Sequence, residues 1–192
     1  MKKAFLAILV SGVLVIGGAV SASAADTYKF DPVHSSLVFR VKHLDIAYVY
    51  GRFNNLTGTL TIDENDPSKN AVRASVGAAN VDTDNEKRDD HLRSPDFFNI
   101  EKHSRVFFES TSFERTGADT YRVKGNLTLL GVTRPIEVTA RHTGSGKDPW
   151  GGYRTGYETT FTIQRSDFGM DYLLGGVADE VTIILAVEAV RQ

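Results

Sequence analysis

Hydrophobic and polar residues alternate along most of the chain beyond residue 35, which is typical of β-strands that bury one face. The alternation is clear from Ser36 to His43 and again from Val181 to Val187. A period of two residues predicts half-buried antiparallel strands. Tyr48–Phe53 and Thr57–Ile62 are separated by a short break, and they predict either one bent strand or a hairpin.

Segments of this kind predict eight or nine strands at hairpin spacing, with no long helix and no alternation of strands with helices. This organisation favours an all-β fold, either an antiparallel barrel or a sandwich. We expect an eight-stranded closed barrel, because the long strands carry no proline or clustered charge that would protect a sheet edge.

The β pattern stops in the charged segment Asp82–Phe98. Thr83 and Glu86 have the spacing of a capping box and predict a short helix over about 84–93. Ser94-Pro95 predicts a second turn, because serine is a good N-cap and proline is tolerated at the first helical position. The segment is either a catalytic loop rich in Asp, Arg and His or a lid that closes one end of the barrel.

An eight-stranded barrel is either filled by its own side chains or holds one small ligand. Small residues on the presumed inward faces leave volume at the centre of their strands: Ala74, Ala78, Gly125, Ala140 and Thr159. Long apolar and aromatic residues surround them: Phe39, Phe108, Leu127, Leu129, Phe161 and Leu185. Such a wall suits an apolar ligand, but large residues from opposite strands would fill the same space. Composition leaves both alternatives open.

The N-terminus has the pattern of a secretory signal peptide. Lys2 and Lys3 precede an apolar run over residues 4–20, and Ala22-Ser23-Ala24 offers a small-residue cleavage site. We therefore expect residues 1–24 to be cleaved and residues 25–192 to form one domain. No later segment is apolar enough to predict stable membrane insertion.

Net charge and cysteine content exclude several classes of function. Without Lys2 and Lys3, 20 basic residues oppose 24 acidic residues, a net charge of −4. This weak acidity gives no electrostatic reason to bind nucleic acid. The chain has no cysteine, so neither disulfides nor thiol chemistry is available.

The histidines and hydroxyl groups do not form a recognised metal or hydrolase motif. None of the five histidines has the spacing that metal sites use, and the sequence predicts no metal site. Asp31, His34 and Ser35 are the residue types of a catalytic triad. They are too close in sequence to present that geometry, and no Gly-x-Ser-x-Gly motif is present.

The charged helix allows a catalytic and a structural interpretation. Arg88, Asp89 and His91 could supply acid and base groups. Asp89 lies four residues before Arg93, and Asp84 four before Arg88, which is ordinary spacing for ion pairs on a helix surface. The sequence favours structural pairing on the outer face of a lid.

Phe97 and Phe98 need a different explanation, since no surface role accounts for two adjacent rings after a charged helix. At least one of them is expected to be buried. If the segment closes the barrel, Leu92 and Phe97 point inward.

Motifs in the same order along the whole chain beyond residue 27 resemble the YceI-like family of secreted bacterial lipid-binding proteins, which are lipocalin-like antiparallel barrels. The similar segments are 28–35, 81–84, 88–94, 96–98, 125–135, 148–152 and 165–170, including Asp31-Pro32-Val33-His34-Ser35 and Arg165-Ser166-Asp167-Phe168-Gly169-Met170.

The resemblance implies a periplasmic protein that binds a polyisoprenoid or quinone-type lipid in the barrel, without catalysis or a cofactor, and it permits a homodimer. The expected ligand-binding residues are Phe39, Ala74, Leu92, Phe97, Phe98, Phe108, Leu127, Leu129, Phe161 and Leu185. Two rival hypotheses are an enzyme that acts on such a lipid and a stress-induced interaction protein with a filled core.

Overall fold

The computed structural model describes residues 25–63 and 65–192. The predicted signal peptide, residues 1–24, lies outside the described residues. The described strands are β1 (Asp26–Phe30), β2 (Ser36–His43), β3 (Ala47–Phe53), β4 (Thr57–Ile62), β5 (Ala71–Gly77), β6 (Val81–Asp82), β7 (Arg105–Arg115), β8 (Thr120–Leu129), β9 (Val132–Lys147), β10 (Tyr153–Gln164) and β11 (Val177–Arg191). One α-helix, α1 (Glu86–Arg93), lies between β6 and β7.

These strands form a closed antiparallel barrel with eight positions around its circumference. β1 and β2 follow one another along β11, where Tyr28 pairs with Arg191 and Leu37 pairs with Leu185. β3 and β4 are two parts of one bent strand that pairs with β2 and β1. β5 and β6 together form the third position, since they pair with β4 and β3. β7 to β11 follow in chain order as the other five positions, and the β1–β11 pairing closes the ring. The predicted eight-stranded barrel is confirmed.

The bend between β3 and β4 settles the alternative between a bent strand and a hairpin. Asn55 adopts a left-handed backbone conformation (φ 60°), which asparagine tolerates better than most residues. The Asn54 N–H donates to the Asn80 carbonyl oxygen at 3.1 Å, so the bend is fixed against the segment before β6.

The end of the barrel opposite α1 is filled by aromatic side chains. Phe113 and Tyr121 have ring centroids 5.2 Å apart, and Tyr157 lies 5.8 Å from Tyr121. Burial raises the pKa of the Tyr157 hydroxyl well above its usual range. Aromatic rings therefore pack against one another in this half of the barrel.

α1 begins two residues later than predicted, and the predicted capping box is wrong. The N-cap is Asn85, whose Oδ1 accepts a hydrogen bond from the Arg88 N–H at 2.9 Å. Thr83 does not cap the helix, because its hydroxyl donates to the buried carboxylate of Asp89. A left-handed residue at Asp84 (φ 59°) separates Thr83 from the helix start.

The segment after α1 closes the barrel. The Phe98 N–H donates to the Leu92 carbonyl oxygen at 2.9 Å, which turns the chain back under the helix. Phe97 is buried, and the Phe98 ring meets Phe53 edge to face at 5.3 Å. The guanidinium of Arg93 donates to two backbone carbonyls before and within β6. α1 is therefore a lid that these hydrogen bonds hold in place.

No helix among the described residues has the length and hydropathy to cross a bilayer.

Candidate ligand-binding site

An apolar cavity of about 210 Å³ lies inside the barrel beneath α1. The structure brings all ten residues expected to bind ligand to its wall: Phe39, Ala74, Leu92, Phe97, Phe98, Phe108, Leu127, Leu129, Phe161 and Leu185. They come from α1, the segment after it and six strands, so only closure of the barrel places them together. Their contact with a ligand stays a prediction.

The wall offers a ligand almost no polar group. The hydroxyl of Thr159 lines the cavity but donates to the Thr139 carbonyl oxygen at 2.8 Å. The Ser75 hydroxyl likewise donates to the Val106 carbonyl oxygen at 3.2 Å. No carboxylate and no histidine is among the described lining residues. The cavity can therefore hold an apolar group by burial, but its wall supplies no acid or base.

Arg165 is the charged residue in the described wall, and its guanidinium is occupied by backbone carbonyls. It is 2 % exposed and donates to the carbonyl oxygens of Met170 (2.9 Å), Val177 (2.9 Å) and Ala178 (3.0 Å). Burial lowers the pKa of this guanidinium. Arg165 thereby ties both ends of the segment between β10 and β11 to the cavity wall.

Sequence reasoning missed several lining residues, and part of them had a usable signal. Leu37 and Val41 flank Phe39 at a spacing of two, and Ile163 follows Phe161 in the same way. The period-two rule applied along each whole strand would have included them. Met170 and Val177 lie where the pattern is irregular, so alternation alone does not indicate them.

The small residues behave differently from one another. Ala74 and Thr159 line the cavity, as expected. Ala78 and Ala140 are buried at 1 % and 8 % exposure and do not line it. The expectation that Gly125 leaves free volume is wrong, because a Cβ at this position would lie 2.4 Å from Cζ of Phe108. The neighbouring ring occupies that space.

The charged residues of the lid are bonded within it. Asp89 is buried and accepts from both the N–H and the hydroxyl of Thr83. The predicted pairing of Asp89 with Arg93 is therefore wrong: Asp89 points inward, and Arg93 donates to Asp90 at 3.0 Å.

Arg88 does not pair with Asp84 as predicted, because it donates to the hydroxyl and the carbonyl oxygen of Thr83. His91 lies on the outer side, where its Nε2 is 2.9 Å from Oδ2 of Asp96. Arg88, Asp89 and His91 thus have separate partners and do not converge on one reacting position.

The Asp31, His34 and Ser35 group lies at the opposite end of the barrel. Asp31 Oδ2 is 2.8 Å from His34 Nδ1 and 2.7 Å from Nη1 of Arg154, and these hydrogen bonds hold the pKa of Asp31 well below its usual range. Glu188 also accepts from Arg154, at 2.5 Å. The Ser35 hydroxyl donates to the Glu188 carbonyl oxygen and not to His34, so no triad forms.

Asp31, His34 and Glu188 have ligand atoms within 4.8 Å of one another, a spacing that suits a cation. The guanidinium of Arg154 already lies between the two carboxylates, and its Nε donates to Asp148 at 2.8 Å. The cluster is an ion-pair network that joins β1, β10 and β11.

A closed antiparallel barrel with an apolar cavity under a helical lid defines the lipocalin-like class of small-ligand barrels. Within that class, the chain belongs to the YceI-like domain family, whose model matches residues 28–189. It is 43 % identical to a UPF0312 protein of Pseudomonas aeruginosa strain LESB58 over the whole of both chains. It is 44 % identical to a UPF0312 protein of Serratia proteamaculans, over the whole of this chain and 98 % of that one.

Solved structures share the fold. BcnA of Burkholderia cenocepacia aligns with a TM-score of 0.75 at 20 % identity, over 83 % of this chain and 98 % of BcnA. The YceI protein of Campylobacter jejuni aligns with a TM-score of 0.70 at 28 % identity, over 79 % and 90 %. A polyisoprenoid-binding domain from Saccharophagus degradans aligns with a TM-score of 0.68 at 16 % identity, over 86 % and 98 %.

Proposed function

We propose that the protein binds a long isoprenoid lipid, of the polyprenyl or quinone type, in the cavity beneath α1 and carries or stores it in the periplasm. The observation that carries this proposal is the cavity wall, in which apolar side chains from the lid segment and most strands of the barrel converge without a free polar partner. The fold shared with a polyisoprenoid-binding domain supports the same ligand class.

The energetics favour a long apolar chain. Each buried methylene contributes about 0.8 kcal/mol, so several buried isoprene units bind without a polar anchor. The cavity of about 210 Å³ is smaller than the roughly 300–1,000 Å³ of typical ligand pockets. A full-length prenyl chain must therefore displace lining side chains or leave its end outside. We expect the side chains of Leu92 and Phe98 to move, because Leu92 belongs to the lid, Phe98 follows it, and both line the cavity and are only partly buried.

Binding without catalysis is the better-supported role. An enzyme acting on the lipid needs an acid, a base or a nucleophile at the bound chain. Arg88 and Asp89 are engaged with Thr83, and His91 faces the outer side of the lid. The parent protein and the His91→Ala variant are each loaded with lipid and incubated. The lipid should stay chemically unchanged in both proteins. Turnover by the parent protein that is lost in this variant would favour the enzyme.

The proposal is tested by native mass spectrometry of protein purified from its own host, followed by extraction and mass analysis of the bound lipid. We expect about one isoprenoid lipid per chain. Protein that is fully folded and carries no stoichiometric lipid would favour the filled-core alternative.

The periplasmic location is tested on the same material. The intact mass and the N-terminal sequence of the protein recovered from the periplasmic fraction should place its first residue near Ala25. A chain that retains residues 1–24 and stays in the cytoplasm would contradict secretion.

A further inference from the structure

Two neighbouring loops expose apolar side chains at the lid end of the barrel. We call Leu44, Ile46, Leu173 and Leu174 the apolar rim; they are 54 %, 81 %, 54 % and 42 % exposed. The first two belong to the β2–β3 turn and the last two to the β10–β11 connection. The turns are in contact, since the Leu44 N–H donates to the Gly176 carbonyl oxygen at 2.8 Å. The four side chains therefore lie on two adjacent turns at the same end of the barrel.

Two rim leucines occupy backbone positions that do not suit leucine. Leu44 and Leu173 have left-handed conformations, with φ of 50° and 55°. Such turn positions favour Gly, Asn or Asp, and most other non-glycine residues there in the described chain are Asn or Asp. Leu130 is a further leucine of this kind, but its side chain packs against the buried cluster around Leu127. Folding explains Leu130; it does not explain two exposed leucines in adjacent left-handed turns.

The rim is also free of net charge. Residues 172–178 contain no charged side chain. In the other turn, Lys42 Nζ lies 2.7 Å from Oδ1 of Asp45, so these two charges compensate each other. Tyr48 and Tyr172 flank the rim and are half exposed. Apolar tips with tyrosines behind them match the layering of a bilayer, where tyrosine prefers the head-group level.

The rim is continuous with the cavity. Val41 precedes the first turn on β2, while Met170 and Val177 stand on either side of the second loop. All three line the cavity. Arg165 fixes this arrangement, because its guanidinium holds the backbone at Met170 and Val177. A lipid that enters from the outside at the rim and passes between the two turns and the lid would therefore reach the cavity directly.

We propose that the apolar rim docks the protein on a lipid bilayer by inserting its four side chains, and that the isoprenoid lipid enters and leaves the cavity there. The entry step rests on the proposed lipid-binding function, whereas the docking step does not. A second copy of the chain suits the rim less well, because a stable dimer uses roughly 20–30 residues on each side. Insertion into a bilayer does not need an interface of that size, because its strength scales with the apolar area that is buried.

The test is co-flotation of the purified, processed protein with zwitterionic phosphatidylcholine vesicles. We expect the parent protein to float, with little change between low and high salt, because the rim has no net charge and the chain is acidic. The variant Leu44→Asn with Leu173→Asn should lose roughly tenfold or more in vesicle partitioning, since two apolar side chains no longer enter the bilayer. Its thermal stability should be unchanged or higher, because asparagine suits the left-handed turns.

Val33→Asn is the matched control, since Val33 is 81 % exposed but lies at the opposite end of the barrel. It should float like the parent. The proposal is overturned if the parent does not float, or if the rim variant floats equally well. It is also overturned if the rim variant converts a dimer to a monomer in native mass spectrometry, since the rim would then be a subunit interface.

Lipid content in the same preparations separates the two proposals. Bound isoprenoid without flotation contradicts docking alone, and flotation without bound lipid contradicts the proposed ligand alone. With both present, the rim variant should transfer a fluorescent isoprenoid to vesicles about tenfold more slowly at unchanged capacity. An unchanged transfer rate would contradict entry at the rim.

Discussion

The ring of Phe108 covers Gly125 so closely that a Cβ at position 125 would lie 2.4 Å from Cζ of the ring and 2.5 Å from the carbonyl oxygen of Glu109. The two residues are neighbours on β7 and β8, and Phe108 also lines the cavity. The absence of a side chain at Gly125 therefore sets how far the Phe108 ring stands from the cavity centre.

Gly125→Ala should destabilise the protein by about 1–3 kcal/mol, because the ring can rotate away but the Glu109 carbonyl cannot. The displaced ring should also reduce lipid capacity. Urea unfolding and native mass spectrometry measure the two effects. Gly146→Ala is the control, since a Cβ there meets nothing within 4 Å. Equal stability of the two variants would show that the barrel relaxes around residue 125.

Ala74→Phe should lower lipid capacity more than it lowers stability. Ala74 lines the cavity, so an added ring can occupy existing volume and exclude the ligand. Ala71→Phe is a matched control on β5, because Ala71 belongs neither to the wall nor to the buried clusters. Lipid extraction quantifies the bound ligand in each variant. Full capacity in Ala74→Phe would contradict the placement of the ligand.

Arg165→Met should free the segment between β10 and β11. Three backbone carbonyls lose their donor, which costs on the order of 3 kcal/mol in the free energy of unfolding. Hydrogen exchange of the amides at 170–178 should become faster than in the rest of the barrel. Arg134→Met is the control, because its Nε donates to one exposed carbonyl, that of Asp167. Unchanged exchange would show that packing alone holds the segment.

Acid should weaken the network around Asp31. The hydrogen bonds from His34 and Arg154 lower the pKa of Asp31 in the folded state. A carboxylate with a lowered pKa contributes stability above its unfolded pKa of about 3.9, and this contribution is lost as the pH falls towards the folded value. Asp31→Asn should therefore be less stable than the parent at pH 7, by on the order of 1–2 kcal/mol, and the gap should narrow below about pH 4.

Asp26→Asn is the control for this pH series, since Asp26 pairs with Arg191 at an exposed site. Chemical unfolding between pH 2 and 7 measures all three proteins. A gap between Asp31→Asn and the parent that does not change with pH would contradict the assignment.

Prediction from the sequence was most successful where one local rule applied along a whole strand. Period-two alternation identified Phe39, Leu127, Phe161 and Leu185 as inward residues, and all four line the cavity. The same rule cannot show whether an inward position faces a void or a neighbouring ring. Gly125 and Ala74 are both small and inward, and only the position of Phe108 separates them.

The lid shows the same limit for charged residues. Helical spacing placed Asp89 in a surface pair with Arg93, which is a rule for isolated helices. In the folded chain the carboxylate turns inward to the Thr83 N–H and hydroxyl, because a buried backbone donor needs a partner.

The sequence by itself determined the antiparallel strands, their approximate number and a short helix between them, because alternation and turn chemistry are local. The ten residues expected around the cavity needed the family resemblance as well. Only the tertiary structure decided which half of the barrel is filled and that Arg165 binds three carbonyls. The same holds for the exposed leucines at 44 and 173, which meet at one rim. These features depend on contacts between residues far apart in the chain, and closure of the barrel brings them together.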